Sequence, residues 1–126
     1  MGTILLVDDD PTVRTTLAAY LEDDGFTIVT ACSAEEALKI VESGCLPRIC
    51  IMDMRLPGMD GRDAILALHQ TYPGMKFLIH TGSLSYGLTD DLRAIGLTEA
   101  SMFHKPLCDM GVLADALLRL LSTKES

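Results

Sequence analysis

Polar side chains able to bind a metal ion and a phosphoryl group follow four short apolar runs of the sequence. In chain order they are Asp8 with Asp9, Asp53, Thr81 and Lys105. Carboxylates held close together repel each other, which raises their pKa values or requires a cation between them. Mg²⁺ suits such a place because it takes one or two carboxylates, keeps several waters and leaves positions for phosphate oxygens. If the fold brings these runs together, the residue types predict a magnesium site.

The same residues predict phosphoryl transfer to Asp53. A metal ion beside this carboxylate would neutralise the charge of a phosphoryl donor, so that the carboxylate could attack phosphorus and form an acyl phosphate. Lys105 would supply a second positive charge. The Thr81 hydroxyl could donate a hydrogen bond to a phosphoryl oxygen. Because that bond exists only while the phosphoryl group is present, the residues predict a switch as well as a reaction.

The elements that must position these side chains are predicted from the apolar pattern. Short apolar runs alternate with longer segments of helical period, which is typical of repeated βα units around a parallel sheet covered by helices on both faces. Ligands bind such a doubly wound sheet beyond the carboxyl ends of its strands, where the polar residues lie. The predicted strands are Ile4 to Val7, Thr27 to Ala31, Ile49 to Met52, Phe77 to Thr81 and Met102 to His104.

Helix signals separate the predicted strands. Asp10 followed by Pro11 is typical of a helix start, and Ser33 with Glu36 has the form of a capping box. A fourth helix from Thr89 through Ile95 is indicated only weakly, because it has little apolar stripe. Apolar stripes at helical spacing mark two further helices, at Ile65, Leu68 and Tyr72 and at Leu113, Ala116, Leu117 and Leu120.

The bulk composition excludes several classes of protein. The 126 residues predict one domain over residues 1–122 and a polar tail at 123–126. A net charge of −8 disfavours direct binding to nucleic acid or anionic lipid. No apolar run approaches the ~18 residues that a membrane span needs, so we predict a cytoplasmic protein. The four cysteines show no zinc-ligand spacing, and we expect reduced thiols.

Two histidines lie close to the polar residues in the sequence. His80 precedes Thr81 on a predicted strand, and we interpret it as a structural side chain rather than a ligand. His104 adjoins Lys105, but the alternation of side chains along a strand favours a direction away from the site.

The order and separation of the polar motifs resemble the receiver domain of two-component response regulators, the CheY-like family. The resemblance covers essentially the whole chain, and the stretch from Met52 to Gly61 is its most specific part. It implies a flavodoxin-like, doubly wound α/β fold with five parallel strands in the order 2-1-3-4-5. The matching motifs are Val7-Asp8-Asp9, Asp53, Leu56 to Gly61, Thr81-Gly82 and Lys105-Pro106.

This resemblance also implies a ligand set for Mg²⁺. Asp53 would be the phosphoacceptor and a metal ligand, and Asp9 would bind the ion directly. Asp8 would support the ion through water. The backbone carbonyl of Arg55 would complete the protein ligands, although the Arg55 side chain stands where the family varies.

The phosphoryl group would be held by Lys105 and by the hydroxyl of Thr81, and the peptide between Lys105 and Pro106 is predicted to be cis. Family members usually place Tyr or Phe three residues before this lysine, where the ring turns inward as the hydroxyl residue moves. Here Met102 holds that position and Phe103 follows it. The candidate switch residues are therefore Thr81, Met102 and Phe103, and the aromatic part of the switch is left open. Residues 96–101 also depart from the family pattern.

The predicted partners follow from this resemblance. A histidine kinase or histidine phosphotransfer protein would supply the phosphoryl group, and a downstream effector protein would receive the signal, with no direct contact to nucleic acid or membrane. We expect a monomer or a weak dimer. Two alternatives remain: an interaction module that keeps the fold without cycling phosphate, and a small phosphohydrolase with an aspartyl nucleophile. The second is disfavoured because such enzymes need another Asp two residues after the first, where this chain has Arg55.

Overall fold

The five predicted strands form one parallel sheet. The computed structural model describes residues 3–82, 88–105 and 110–122. The strands are β1 (Thr3–Val7), β2 (Thr27–Ala31), β3 (Ile49–Met52), β4 (Lys76–Thr81) and β5 (Met102–His104). They lie in the order β2-β1-β3-β4-β5, which confirms the predicted flavodoxin-like topology.

Helices cover both faces of this sheet, as predicted. They are α1 (Pro11–Asp23), α2 (Ala34–Glu42), α3 (Gly61–Thr71), α4 (Asp90–Ala94) and α5 (Gly111–Ser122), with one 3₁₀ turn at Glu99–Ser101. The first and last helices, α1 and α5, pack on one face, and the other three pack on the opposite face. Within the described ranges, every helix is too short or too polar to cross a bilayer.

The side chains of β1 alternate between two cores. Ile4 and Leu6 pack with the α1 and α5 side chains, whereas Leu5 and Val7 pack with those of α2 and α3. Each of the four is at most 1% exposed. A strand covered on both faces has no polar side, which explains why β1 and β3 read as continuous apolar runs in the sequence.

Polar side chains fix the starts of three helices. The Asp10 carboxylate accepts hydrogen bonds from the N–H groups of Thr12 and Val13, the second and third residues of α1, as its position before a proline predicted. Ser33 accepts from the N–H of Glu36 at 3.0 Å, while the Glu36 carboxylate accepts from Cys32 and not from Ser33 itself. Asp60 caps α3 in the same way. These caps set where each helix leaves the edge of the sheet.

The short helix α4 ends at Ala94, one residue before the predicted end at Ile95. Leu92 is its one buried residue, and it packs into the core on the α2 and α3 side. The Thr89 side chain, which precedes the helix, makes no capping bond to α4 within the described chain. One buried side chain gives no repeating apolar stripe, which explains the weak signal in the sequence.

Gly61 allows α3 to begin against the end of β3. A methyl group at this position would lie 2.3 Å from the carbonyl oxygen of Asp53 and 2.7 Å from the Cα of Met54. Both contacts are far inside van der Waals distance, and both involve backbone. The Gly61 N–H also donates to the Met54 carbonyl at 3.1 Å. The backbone of Asp53 and Met54 is thereby packed closely against the first turn of α3.

We therefore expect Gly61→Ala to lower the free energy of unfolding by about 2 kcal/mol or more, because the backbone on both sides must separate. Urea denaturation followed by circular dichroism measures this loss. Gly74→Ala is the matched control: a methyl group at Gly74 meets no atom within 4 Å, and we expect a change within about 0.5 kcal/mol. Equal stabilities for the two variants would contradict the close approach at Gly61.

Candidate functional site

The register of the sheet brings the ends of β1 and β3 together. Val7 pairs with Met52, and Met52 pairs with Ile79 of β4. Asp8 follows Val7, Asp53 follows Met52, and the Asp53 N–H donates to the Val7 carbonyl at 3.0 Å. Two acidic residues from distant parts of the chain therefore lie side by side at one edge, as the strand ends predicted.

Strands β4 and β5 bring Thr81 and Lys105 to the same edge. Thr81 pairs with His104, and the N–H of Lys105 donates to the Thr81 carbonyl at 2.9 Å. Thr81 is fully buried, whereas His104 is exposed. The structure thus places the hydroxyl residue and the lysine beside each other, on neighbouring strands.

The Lys105 ammonium lies between two buried carboxylates. Its Nζ is 2.7 Å from Oδ2 of Asp8 and donates to Oδ2 of Asp53 at 3.0 Å. Asp8 is 1% exposed and Asp53 is 4% exposed, while the neighbouring Asp9 is exposed. One carboxylate oxygen from each of Asp8, Asp9 and Asp53 lies within 4.8 Å of the others. Two of the three carboxylates contact this one ammonium, so an excess of negative charge remains at the edge.

Backbone and side-chain bonds hold the two buried carboxylates in place. Oδ1 of Asp8 accepts from the N–H of Asp10 at 2.9 Å, and Oδ1 of Asp53 accepts from the N–H of Arg55 at 3.2 Å. The guanidinium of Arg14 donates to the Asp8 carbonyl at 2.8 Å. Each acid therefore presents its second oxygen, Oδ2, to Lys105.

Burial and the ion pairs shift the pKa values of this cluster. Burial raises the pKa of Asp8, and the nearby Lys105 offsets only part of that effect. Burial alone would lower the pKa of Lys105, but its contacts with Asp8 and Asp53 outweigh burial and raise it. Lys105 is thus held in its charged form, whereas burying the charged carboxylate of Asp8 lowers the stability of the fold.

Met102 and Phe103 face opposite sides of the sheet. Met102 is half-buried and packs against the core shared with α2, α3 and α4. Phe103 is 9% exposed and belongs to the core shared with α1 and α5. The Phe103 ring therefore lies across the sheet from Met102 and cannot replace an aromatic side chain at that position.

Sequence reasoning selected five side chains that the structure brings to one edge: Asp8, Asp9, Asp53, Thr81 and Lys105. It missed Arg14, because the guanidinium bonds to a backbone carbonyl. Every residue has such a carbonyl, so the bond leaves no recognisable motif in the sequence. It also missed that the Asp10 N–H bonds to Asp8 while the Asp10 side chain caps α1. The predicted cis peptide at Pro106 and the thiol of Cys108 lie outside the described residues.

Comparison with known proteins identifies the family of this chain. The family model of the response regulator receiver domain matches residues 4–117. The chain belongs to the response regulator receiver family. Receiver domains are signalling domains of two-component systems that take phosphoryl groups from kinases and act on effector partners. The family predicted from the motifs is confirmed.

Two curated relatives show where receiver sequences of this kind occur. The receiver chain is 34% identical over 121 residues to the transcriptional activator protein ExaE of Pseudomonas putida, which covers 94% of the chain and 55% of ExaE. It is 37% identical over 82 residues to the sensor kinase CckA of Brucella abortus, which covers 64% of the chain and 9% of CckA. The chain thus spans about half of one relative and under a tenth of the other.

Two solved structures are similar over nearly the whole receiver chain. The chemotaxis protein CheY4 of Vibrio cholerae matches with a TM-score of 0.82 and 26% identity, covering 95% of this chain and 98% of that one. The response regulator TrrA of Thermotoga maritima, in complex with Mg²⁺ and BeF, matches with a TM-score of 0.81 and 27% identity, covering 95% and 99%.

The raised pKa of Asp8 predicts a gain in stability for Asp8→Asn. The folded chain binds a proton at this carboxyl more readily than the unfolded chain. Its stabilising contribution is therefore full below the unfolded value of 3.8 and is lost as pH rises through the higher folded pKa. The side chain of Asn is a neutral amide, so Asp8→Asn avoids this loss of stability. We expect the free energy of unfolding at pH 7 in metal-free buffer to be greater for Asp8→Asn than for the unchanged chain.

Urea denaturation at pH 7 and at pH 4 measures this difference, which should shrink at the lower pH. Asp9→Asn is the matched control, because Asp9 is the exposed neighbour, and we expect a change within about 0.5 kcal/mol. A loss of stability in Asp8→Asn would mean that the ion pair with Lys105 outweighs the cost of burying Asp8.

Proposed function

We propose that Asp53 is the phosphoacceptor of a Mg²⁺-dependent signalling switch, which a histidine kinase or a histidine phosphotransfer protein charges. The observation that carries this proposal is the position of the Asp53 carboxylate. It is buried at the edge of the sheet, 3.0 Å from the Lys105 ammonium and clustered with the carboxylates of Asp8 and Asp9. Membership of the receiver family supports the same reaction.

The acidic cluster fits a magnesium ion. Carboxylate oxygens are the ligands that Mg²⁺ prefers, and oxygens around an octahedral ion at ~2.1 Å stand roughly 3 to 4 Å apart. The carboxylate oxygens of Asp9 and Asp53 lie within 4.8 Å of each other, so direct binding by both needs only a small contraction. We propose Asp9 and Asp53 as direct ligands, Asp8 as a ligand through water, and the carbonyl of Arg55 as the last protein ligand. A bound ion would neutralise charge on the phosphoryl oxygens, and the complex of the similar TrrA with Mg²⁺ and BeF supports this assignment.

The chain's own residues carry the transfer step. An oxygen of Asp53 forms a bond to phosphorus as the P–N bond of the donor's phosphohistidine breaks, and the donor imidazole leaves with the electron pair and takes up a proton. The N–H of Arg55, already bonded to Oδ1, fixes the orientation of the carboxylate. Lys105 then pairs with a phosphoryl oxygen instead of the Asp53 carboxylate. The ammonium moves little, because the new oxygen lies on the same side chain.

The signal is proposed to leave the site through Thr81. Its hydroxyl would turn toward a phosphoryl oxygen, and Met102 on the neighbouring strand would fill the space that this turn opens. Arg62 at the start of α3 pairs with Asp91 of α4, which connects the segment after Asp53 to this part of the surface. A downstream effector protein would bind there. The cytoplasmic location and the monomeric or weakly dimeric state stay predictions.

One observation favours the alternative of an interaction module without phosphate cycling. Met102 stands where the family usually has an aromatic ring, and Phe103 lies on the other face of the sheet. The carboxylates of Asp8 and Asp53, however, are buried beside Lys105, and a module that takes up no phosphate has no need of this costly burial of charge. We rank phosphoryl acceptance first for that reason. The phosphohydrolase alternative gains no support, since Arg55 occupies the place of its second Asp.

Asp53→Asn should abolish labelling by acetyl phosphate, because the amide is not a nucleophile. Intact-protein mass spectrometry measures the gain of one phosphoryl group, which should require Mg²⁺ and disappear with a chelator. Asp63→Asn is the matched control, since Asp63 lies exposed on α3 and should label like the unchanged chain. Labelling that survives Asp53→Asn would remove the assignment of the acceptor.

The proposed path through Thr81 predicts a response at Met102. Adding Mg²⁺ and beryllium fluoride should shift the ¹³C-methyl NMR signal of Met102 in the unchanged chain. In Thr81→Ala this shift should fall by at least half, while signals near Asp53 still change. The methyl of Met75, just before β4 at the far end of the sheet, is the internal control and should not move. An undiminished Met102 shift in Thr81→Ala would show that the signal takes another route.

A further inference from the structure

A cavity of about 260 Å³ lies on the α1 and α5 face of the sheet, beside the acidic edge. Val13 and Leu17 of α1 and Met110 before α5 supply apolar walls. His80 and Lys105 also line it, and they are its nitrogen-bearing side chains among the described residues. Thr12 and Thr16 of α1 complete the lining, so polar groups lie on both the α1 side and the sheet side of a largely apolar wall.

His80 is the unexplained group in this cavity. It is 5% exposed, and neither Nδ1 nor Nε2 has a hydrogen-bond partner within the described parts of the chain. Burial, with a smaller effect of Lys105, lowers the pKa of His80 to about 4. At neutral pH the ring is thus uncharged and offers one donor and one acceptor. Buried polar groups of native proteins are nearly always bonded, so the ring requires a partner that enters the cavity.

Size and charge restrict what that partner can be. The cavity exceeds the ~150 Å³ that accommodates benzene and is smaller than the ~300 Å³ at which drug-sized pockets begin, so one ring with a short substituent fits. Lys105 is the one charged side chain among the described residues that line the cavity, and its ammonium is already paired with Asp8 and Asp53. An ion in the cavity would therefore have no partner of opposite charge, and burying an unpaired charge is costly. The occupant is therefore uncharged.

Two features favour an aromatic ring over an aliphatic chain. The face of a ring can lie flat against the apolar side chains of Val13 and Leu17, which a flexible aliphatic chain covers less completely. A rigid ring also loses little conformational freedom when it binds. Water alone could bond to His80, but it would leave the side chains of Val13, Leu17 and Met110 facing a polar solvent.

We propose that this cavity is a binding site for small, uncharged phenolic compounds, with the ring against α1 and the hydroxyl bonded to His80. The proposal does not depend on phosphoryl transfer, because binding can be measured without any phosphoryl donor. It changes the interpretation of His80 from a structural side chain to a ligand-binding one.

Titration of the ¹⁵N-labelled chain with phenol, toluene and benzylamine tests the proposal by NMR. Phenol should cause saturable shifts at the amides of Val13 and Leu17 and at the His80 ring nitrogens. Toluene has the same size but no hydroxyl, and should bind about fivefold more weakly, the factor expected for one neutral hydrogen bond. Benzylamine, which is cationic at neutral pH, should cause no saturable shift. Absence of saturable shifts with phenol would overturn the proposal.

Two variants locate the site. Thr16→Phe places a ring in the cavity from an exposed position on α1 and should weaken phenol binding at least tenfold. Thr15→Phe is the matched control, because Thr15 is the exposed neighbour and does not line this cavity, and it should bind phenol as the unchanged chain does. Equal binding by the two variants would contradict the location.

His80→Leu should remove the preference for phenol over toluene, whereas His104→Leu, at an exposed position of β5, should keep it. A preference that persists in His80→Leu would overturn the role of the imidazole. Circular dichroism establishes that each variant folds. If His80→Leu does not fold, the comparison of the two threonine variants still decides where phenol binds.

Discussion

The ammonium of Lys105 between Asp8 and Asp53 is the interaction on which the candidate site depends. Two carboxylates that are at most 4% exposed repel each other when they lie side by side, and a cation between them reduces that repulsion. Lys105 reaches them because β5 is parallel to β4 and ends at the same edge as β1 and β3. One ammonium does not balance three carboxylates, and the remaining charge makes the edge a place for a dication. The fold thus maintains an excess of negative charge at this edge, which a bound metal ion would relieve.

The sheet and most of its helices could be predicted from the sequence because their signals are local. Strands covered on both faces are short apolar runs, and helices that begin with Asp10, Ser33 or Asp60 carry their capping side chains with them. The acidic edge followed from the rule that parallel strands end together. Helix α4 was harder, since Leu92 alone is buried and a single residue has no period.

Other features depend on how side chains meet in three dimensions, and no residue pattern announces them. Arg14 bonds to the backbone of Asp8, which any residue could offer, so its role is invisible in the sequence. Successive side chains of a strand point to opposite faces of the sheet, so a shift of one position in the three-residue strand β5 would turn Phe103 to the other face. His80 looked structural within an apolar run, and only the packed fold shows that both of its ring nitrogens lack partners in the described chain.

The alternation of side chains along β4 and β5 separates two regions of the molecule that both include Lys105. Met102 faces the α4 side of the sheet, where the proposed signal leaves, while His80 and Phe103 face the α1 and α5 side. Lys105 follows β5 at the boundary: it lines the cavity, and its ammonium pairs with Asp8 and Asp53. A ligand in the proposed site would touch the side chain that also pairs with the two carboxylates. The proposed ligand site and the acidic edge therefore meet at Lys105.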